Sequence, residues 1–224
     1  MSEPEGSSPV LARPLIHRTA LVTGASRGIG RAIAVLLHAQ GARVALAARS
    51  QGPLEALRAE LGPADSAVIC MDLRDSAAGS RAVAAAEAAL GPLHILIHAA
   101  APMFPLQRIM QVDDDAVREQ LGTSVGALAG LCRAAVGSML GHRWGRIIAL
   151  TSVAASAGAG GSALYGAGKA GMEGLIRSLA VDHGRHGITA NAVSVAFCDS
   201  ERFRERTDAA QRARAERATA LGRI

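Results

Sequence analysis

The sequence is poor in aromatic residues, in lysine and in cysteine. Aromatic side chains make up 2% of its 224 residues, and Lys169 is its only lysine. So few rings argue against a surface that binds single-stranded nucleic acid, because bases stack on aromatic side chains there. The three cysteines, Cys70, Cys132 and Cys198, are scattered without a Cys-x-x-Cys pair. This pattern excludes a disulfide scaffold and a cysteine zinc site, and it predicts a reducing, cytoplasmic location.

Long apolar runs and a leader segment are also missing. No uninterrupted apolar run reaches the roughly 18 residues of a membrane span. Residues 1–14 contain Glu3 and Glu5 and lack the apolar segment typical of a secretory signal. No cluster has metal-ligand spacing, so no metal is expected. Hydrophobic residues make up 50% of the chain, which excludes a disordered protein and predicts a flexible tail at 1–14 followed by one domain at 15–224.

Nearly all of the positive charge comes from arginine. The chain has 24 basic and 19 acidic residues and a formal net charge of +5. An excess of basic charge suits a phosphorylated cofactor, an acidic carrier protein or nucleic acid. A solvated arginine-rich surface accounts for it equally well, so charge alone leaves these alternatives open.

Apolar strands alternate with helical patterns along most of the chain. This alternation is typical of βαβ units, in which a parallel sheet is covered by helices on both faces. The sequence therefore predicts an α/β fold with a doubly wound parallel sheet of the Rossmann type. The predicted strands are residues 18–23, 43–48, 67–71, 94–99, 145–151 and 188–194.

A glycine-rich turn joins the first strand to the first helix. It reads Thr23-Gly24-Ala25-Ser26-Arg27-Gly28-Ile29-Gly30. A dinucleotide diphosphate needs a tight turn, a backbone that comes close without a Cβ atom, and free N–H groups at a helix start. Glycine at 24, 28 and 30 supplies these in the strand–turn–helix context, so the turn predicts a nucleotide-binding site.

The residues after the second and third strands bear on the choice of cofactor. A site for NAD commonly has Asp or Glu after the second strand to bind the ribose 2′-hydroxyl, but this chain has Ala48 and Arg49 there. Arg49 and Arg27 suit a 2′-phosphate, which predicts NADPH in preference to NAD; the alternative is that Arg49 is a solvated strand end. After the third strand, Asp72 either accepts from the adenine amino group or caps the following turn.

Tyr165 and Lys169 are four residues apart in a predicted helix, so they project from one face. Reduction of a carbonyl requires a proton on its oxygen, and a phenol is a poor partner at neutral pH unless a neighbouring cation stabilises the phenolate. Ser152, at the end of the fifth strand, could donate a hydrogen bond to the same oxygen. By itself a Tyr–Lys pair usually belongs to a helix surface, but beside the glycine turn it predicts a proton-transfer site.

The chain resembles the short-chain dehydrogenase/reductase family over about residues 16–224. The motifs that carry the resemblance are the TGxxxGxG turn, Asp72, Ser152, the YxxxK pair and Asn191-Ala192-Val193. The most similar members are the β-ketoacyl carrier-protein reductases. The resemblance implies a strand order of 3-2-1-4-5-6. It makes Tyr165 the general acid/base, places Lys169 on the nicotinamide ribose and makes Ser152 the residue that positions the carbonyl. The expected cofactor contacts are Gly24, Ser26, Arg27, Gly28, Ile29, Gly30, Arg49, Asp72, Leu73, Ala100, Tyr165 and Lys169.

The chain departs from the family pattern at four places. The asparagine-containing segment after strand four reads 98–101, His-Ala-Ala-Ala, in which Ala100 still permits close approach to the cofactor. Ser124 aligns with the fourth catalytic residue, an asparagine; a serine can hold a water, but its reach differs. Val195-Ala196 replaces a Pro-Gly pair. The seventh strand is apparently absent, which leaves strand six as an apolar edge.

The predicted activity is NADPH-dependent reduction of a ketone, such as a 3-oxoacyl thioester or a polyketide-like carbonyl, to a secondary alcohol. An acyl carrier protein is the candidate partner, and neither nucleic acid nor a membrane is expected. The resemblance implies that the helices holding residues 124–141 and 165–185 pack between subunits, and the glycines at 166, 168, 171 and 174 would permit close approach there, which predicts a homodimer or homotetramer. The alternatives are a catalytically weak or inactive nucleotide-binding subunit, a fragment of such an enzyme, and a nucleic-acid binder that uses the arginine-rich segment 202–217.

Overall fold

Six parallel strands, numbered β1 to β6 along the chain, form one sheet. Their order is β3-β2-β1-β4-β5-β6, as the family resemblance implies. The computed structural model describes residues 14–101, 107–158 and 160–224. Most of the strands are short runs of apolar, often β-branched residues. Their bounds are β1 Thr19–Thr23, β2 Arg43–Ala48, β3 Ser66–Cys70, β4 Leu93–His98, β5 Gly145–Ser152 and β6 Ile188–Val195.

Helices cover both faces of the sheet. Within the described ranges they are α1 Gly28–Ala39, α2 Gln51–Leu61, α3 Ala78–Leu90, α4 Asp114–Leu121, α5 Ala127–His142, α6 Ala163–His183, α7 Glu201–Arg206 and α8 Ala209–Ala218. A π-turn, Gly122–Gly126, joins α4 to α5. Helices α7 and α8 are separate, because Asp208 and Gln211 form a capping box that starts α8.

The core lies on both sides of the sheet because successive strand residues point to opposite faces. On one side, Leu21, Leu96 and Ile147 pack with residues of α3, α5 and α6. On the other side, Val22 and Ile97 pack with residues of α1 and α2. Burial on both faces explains why the strands read as continuous apolar runs, and it leaves the carboxyl ends of the strands as the place where a ligand can enter.

The helical stretch Asp114–His142 is long and apolar enough to cross a membrane by length and composition alone. The fold gives this stretch another role. Leu131, Cys132 and Met139 of α5 are buried in the core against α3 and the sheet. Because the core helix of a globular domain has the same composition as a membrane span, the packing accounts for the apolar character of this segment.

Three of the four glycines predicted to serve subunit contacts are used inside the chain. A Cβ atom on Gly166 would lie 2.8 Å from the backbone oxygen of Ala154, and one on Gly171 would lie 2.7 Å from a methyl group of Val125. Gly168 packs in the same way, against the segment that joins α4 to α5. Only Gly174 of the four has open space beside it. The close approach that these glycines permit is therefore largely intramolecular, and the homo-oligomer stays a prediction.

Candidate active site

A crevice of about 830 Å³ lies at the carboxyl ends of the strands. It opens where the chain order reverses between β1 and β4, which is the usual ligand site of a doubly wound sheet. All of the predicted cofactor residues except Tyr165 line it: Gly24, Ser26, Arg27, Gly28, Ile29, Gly30, Arg49, Asp72, Leu73, Ala100 and Lys169. Strands far apart in sequence thus bring the predicted contacts to one place.

The glycine turn leaves no room for side chains on its inner surface. A Cβ atom on Gly30 would lie 2.3 Å from the backbone oxygen of Gly24, and one on Gly24 would lie 2.7 Å from the amide nitrogen of Ala100. Gly24 also has a positive φ of 74°, which favours glycine. At the start of α1, Arg27 makes no side-chain cap and the first turn has no acidic residue. Helix N–H groups therefore remain available to an anion.

Basic side chains line the crevice beside β2 and the glycine turn. Arg49 is exposed and lines the crevice just after β2, where no carboxylate is present. Arg27 also lines it, and its guanidinium group lies 3.7 Å from the carboxylate of Glu205 on α7. Both side chains of this ion pair are about half exposed, so the pair is weak and can yield to a phosphate. The charge and the space fit a 2′-phosphorylated dinucleotide.

Asp72 caps the turn after β3, one of the two roles left open by the sequence. Its Oδ1 atom accepts a hydrogen bond from the backbone N–H of Arg74 at 3.0 Å, and the Arg74 guanidinium group donates to Oδ2 at 2.6 Å. These bonds lower the pKa of Asp72 to about 2. Arg74 itself lines the crevice and was missed by the sequence analysis, although it follows the end of a strand by only a few residues.

Lys169 is buried beside Tyr165 on α6. The Lys169 ammonium group lies 5.8 Å from the centre of the Tyr165 ring and donates to the backbone oxygen of Leu150 at 2.8 Å. Lys169 is only 6% exposed, and this burial lowers its pKa to about 8. Lys169 lines the crevice, whereas the half-buried Tyr165 is not among the residues that do so.

Ser152 lies at the end of β5, close to the start of α6. Its Oγ atom accepts a hydrogen bond from the backbone N–H of Ala154 at 3.2 Å. The next residue after Tyr165, Gly166, packs against the backbone oxygen of Ala154. The segment that follows Ser152 therefore contacts the first turn of α6, which brings the neighbourhoods of Ser152 and Tyr165 together. The hydroxyl proton of Ser152 is not used in its bond to Ala154.

Ser124 is buried behind α6 and does not line the crevice. Its hydroxyl donates to the backbone oxygen of Gln120 at 2.6 Å. The Gln120 side chain, at 2% exposure, is also buried there. Sequence analysis missed Gln120; its only signal is a polar residue one helical turn before the position of the family's asparagine.

His98 is an interior residue with one satisfied ring nitrogen. Its Nδ1 atom lies 3.0 Å from the hydroxyl of Thr23, while Nε2 has no hydrogen-bond partner among the described residues. Burial, with a smaller contribution from the Lys169 charge, lowers the pKa of His98 to about 3. The side chain therefore stays neutral under ordinary conditions, and it contributes to the acid sensitivity of the fold.

Replacing His98 by asparagine is expected to make the protein less sensitive to acid. The unfolded chain binds a proton at His98 below about pH 6.5, whereas the folded chain does so only near pH 3, so stability falls as the pH drops through this window. Between about pH 7 and 4.5, wild type should lose about 2 to 3 kcal/mol more of unfolding free energy than His98→Asn. Urea unfolding at both pH values measures this difference. The exposed His17→Asn serves as the control, and equal losses in His98→Asn and wild type would contradict the assignment.

Comparison with known proteins agrees with this geometry. A family model described as short chain dehydrogenase matches residues 18–211. The 3-oxoacyl-[acyl-carrier-protein] reductase FabG of Escherichia coli (strain K12) is 35% identical over 191 residues, which are 85% of this chain and 78% of that protein. The 3-oxoacyl-[acyl-carrier-protein] reductase MabA of Mycobacterium bovis is 34% identical over 203 residues, 89% of this chain and 75% of that protein. A crystal structure of a candidate short-chain alcohol dehydrogenase from Sinorhizobium meliloti superposes with a TM-score of 0.86 at 30% identity, covering 95% of this chain and 85% of that one.

Proposed function

Because the chain belongs to the short-chain dehydrogenase family, it is an NAD(P)-dependent oxidoreductase, and we propose that it uses NADPH to reduce a ketone to a secondary alcohol. The observation that carries this proposal is the Tyr165–Lys169 pair on α6, with Lys169 lining the crevice beside the glycine turn. The substrate class that fits best is a 3-oxoacyl thioester or a related carbonyl, since both curated relatives are described as 3-oxoacyl-[acyl-carrier-protein] reductases.

The crevice has the features that a phosphorylated dinucleotide needs. The glycine turn and the uncapped start of α1 would hold the diphosphate, and the guanidinium groups of Arg27 and Arg49 would hold a 2′-phosphate. Ala100 would lie against the cofactor without obstructing it. When bound, a nicotinamide cofactor supplies the hydride that the carbonyl carbon gains.

The chain itself supplies the proton and stabilises the phenolate that its loss leaves behind. In the proposed reaction the Tyr165 hydroxyl donates its proton to the carbonyl oxygen, so that the carbon gains one hydrogen and the oxygen gains the other. The Lys169 ammonium group stabilises the phenolate that remains, because an opposite charge nearby favours the charged form. The hydroxyl proton of Ser152 hydrogen-bonds the same oxygen and stabilises its developing charge.

The arginine-rich segment after β6 suits an acidic partner. Arg206 lines the crevice, and neighbouring arginines of α7 and α8 are ion-paired: Asp199 contacts Arg204 and Arg212. A basic rim favours approach of an acyl carrier protein or of the phosphates of coenzyme A. We propose a carrier-bound substrate, a homo-oligomeric assembly and a cytosolic location, of which the assembly is tested by light scattering; a strict monomer would contradict it.

A second candidate function is a nucleotide-binding subunit with little activity. The observation in its favour is the position of Ser124, which replaces an asparagine of the family pattern but is buried and bonded to Gln120. The test is turnover. Loss of NADPH absorbance with a panel of 3-oxoacyl thioesters and simple ketones supports the reductase, whereas tight NADPH binding with no turnover on any of them supports the subunit.

Replacing Arg49 by alanine is expected to reduce the preference for NADPH over NADH. A charge-assisted hydrogen bond to the 2′-phosphate would be lost, so NADPH affinity should fall by about 10- to 100-fold while NADH affinity changes little. Fluorescence titration with both cofactors measures the ratio. Arg31→Ala is the matched control, because Arg31 is paired with Glu60 and lies outside the crevice. An unchanged ratio in Arg49→Ala would contradict the assignment of the 2′-phosphate site.

A further inference from the structure

A carboxylate lies at the edge of the apolar face of α6. The Glu173 side chain is 21% exposed, and the residue before it, Met172, is buried in the core. An acid that is largely removed from solvent is costly unless its oxygens are bonded. Glu173 Oε1 accepts a hydrogen bond from the Thr151 hydroxyl at 2.9 Å, and Oε2 lies 3.7 Å from the Arg177 guanidinium group. One of the two partners of this carboxylate is therefore a residue of β5.

Thr151 is the residue immediately before Ser152 at the end of β5. It is 3% exposed. Alternate residues of a strand point to the same face of the sheet, so the Thr151 side chain lies on the same face as Ala149, which packs in one core cluster with Met172 of α6. A bond from α6 to the Thr151 side chain therefore holds the backbone from which Ser152 projects.

The chain on either side of Thr151 also contacts α6. Lys169 donates to the backbone oxygen of Leu150 at 2.8 Å, and a Cβ atom on Gly166 would lie 2.8 Å from the backbone oxygen of Ala154. Lys169 belongs to the proposed proton-transfer pair, so its contact cannot be removed without changing the chemistry. The bond of Thr151 joins two side chains outside that pair and can be removed alone.

We propose that Glu173 is a positioning residue for Ser152 and that it acts through Thr151. The hydroxyls of Ser152 and Tyr165 must reach the same carbonyl oxygen, although one is on β5 and the other on α6. Their separation depends on how the helix packs on the strand, and the bond between Glu173 and Thr151 fixes that packing. A misplacement of about 1 Å can cost 10²-fold in rate. The inference rests on the proposed function, because it requires both hydroxyls to act on one carbonyl.

The first test removes and restores the Thr151 hydroxyl. Thr151→Val keeps the shape of the side chain and should lower kcat for ketone reduction by about 10- to 100-fold. Neither Thr151 nor Glu173 lines the crevice, so NADPH affinity should stay within about threefold of wild type. Thr151→Ser returns a hydroxyl and should bring kcat back to within about threefold of wild type. Steady-state kinetics and fluorescence titration with NADPH measure these quantities.

The second test changes the other partner of the same bond. Glu173→Gln keeps an oxygen acceptor and should retain most of kcat, whereas Glu173→Leu removes it and should lose as much as Thr151→Val. The double variant Thr151→Val/Glu173→Leu should lose no more than either single variant, because both substitutions remove one bond. Additive losses would overturn the proposal. If Thr151→Val does not fold, Glu173→Leu at its partly exposed position replaces it.

Thr19→Val is the matched control. Thr19 is 0% exposed and lies in β1, and its hydroxyl donates to the backbone oxygen of Leu90 at 3.0 Å, at the opposite end of the sheet. The substitution therefore removes a buried hydroxyl of the same kind. It should lower the melting temperature by about as much as Thr151→Val while leaving kcat at the wild-type value. Equal kcat in Thr19→Val and Thr151→Val would reduce the role of the Thr151 bond to stability alone and overturn the proposal.

A readout without turnover separates this proposal from the proposed function. Tyr165 is the only tyrosine of the chain, so protein labelled with ¹³C-tyrosine gives one set of ring signals in NMR spectra. Thr151→Val should shift these signals, and Thr151→Ser and Thr19→Val should not. If wild type reduces no ketone but the signals shift in this way, the positioning contact stands and the proposed function fails. If wild type reduces ketones and Thr151→Val keeps its kcat, the positioning role is refuted and the proposed function stands.

Discussion

Tyr165→Phe is expected to lower kcat for ketone reduction by roughly 10³-fold, since general acid catalysis contributes about 10²- to 10⁴-fold. The substitution removes one oxygen atom from a half-buried ring and keeps its packing. Because phenylalanine keeps the ring and its packing, NADPH affinity should stay within about threefold of wild type, so the loss appears in kcat. Steady-state kinetics and a separate fluorescence titration with NADPH measure the two quantities.

Ser156→Ala is the control for this variant. Ser156 also carries a hydroxyl close to the end of β5, but that hydroxyl donates to the backbone of Val153 and lies outside the crevice lining. Its kcat should equal that of wild type. Retention of more than about a tenth of wild-type kcat by Tyr165→Phe would show that another group supplies the proton, since less than the usual contribution of a general acid would then be lost.

Gly30→Ala is expected to abolish tight NADPH binding. The added Cβ atom would lie 2.3 Å from the oxygen and 2.7 Å from the carbonyl carbon of Gly24. Both atoms belong to the backbone of the glycine turn, so the turn itself must move, and the path of the N–H groups toward a diphosphate changes with it. We expect NADPH affinity to fall by at least about 100-fold and the fold to lose about 1 to 3 kcal/mol of stability.

Isothermal calorimetry with NADPH and thermal unfolding measure these two effects separately. The matched control is Gly52→Ala on α2, where a Cβ atom meets nothing within 4 Å and alanine should slightly stabilise the helix. If Gly30→Ala binds NADPH as wild type does, the turn is not the diphosphate site. The cofactor would then have to bind elsewhere on the same fold.

The order of strands and helices and the chemistry of the glycine turn could be predicted from local sequence. A run such as residues 44–48 is apolar throughout because both faces of a parallel strand are buried, so the sequence pattern by itself predicts a strand of a covered sheet. The spacing of Tyr165 and Lys169 places them on one face of a helix before any tertiary contact is known. The role of the glycines at 24 and 30 could be predicted in the same way, because a close backbone approach requires glycine at these positions.

The state of each side chain in the site depended on contacts between segments far apart in the chain. Lys169 is stripped of solvent and bonded to Leu150 because α6 packs on β5, 19 residues away in sequence. The interior position of His98 and its bond to Thr23 follow from the pairing of β4 with β1, 75 residues apart. Gln120 reaches the active-site helix only because the π-turn and Gly168 meet. Local sequence therefore determined which elements form and which residue types stand at their ends. Burial and hydrogen-bond partners, which decide charge and reactivity, arose only when distant elements packed together.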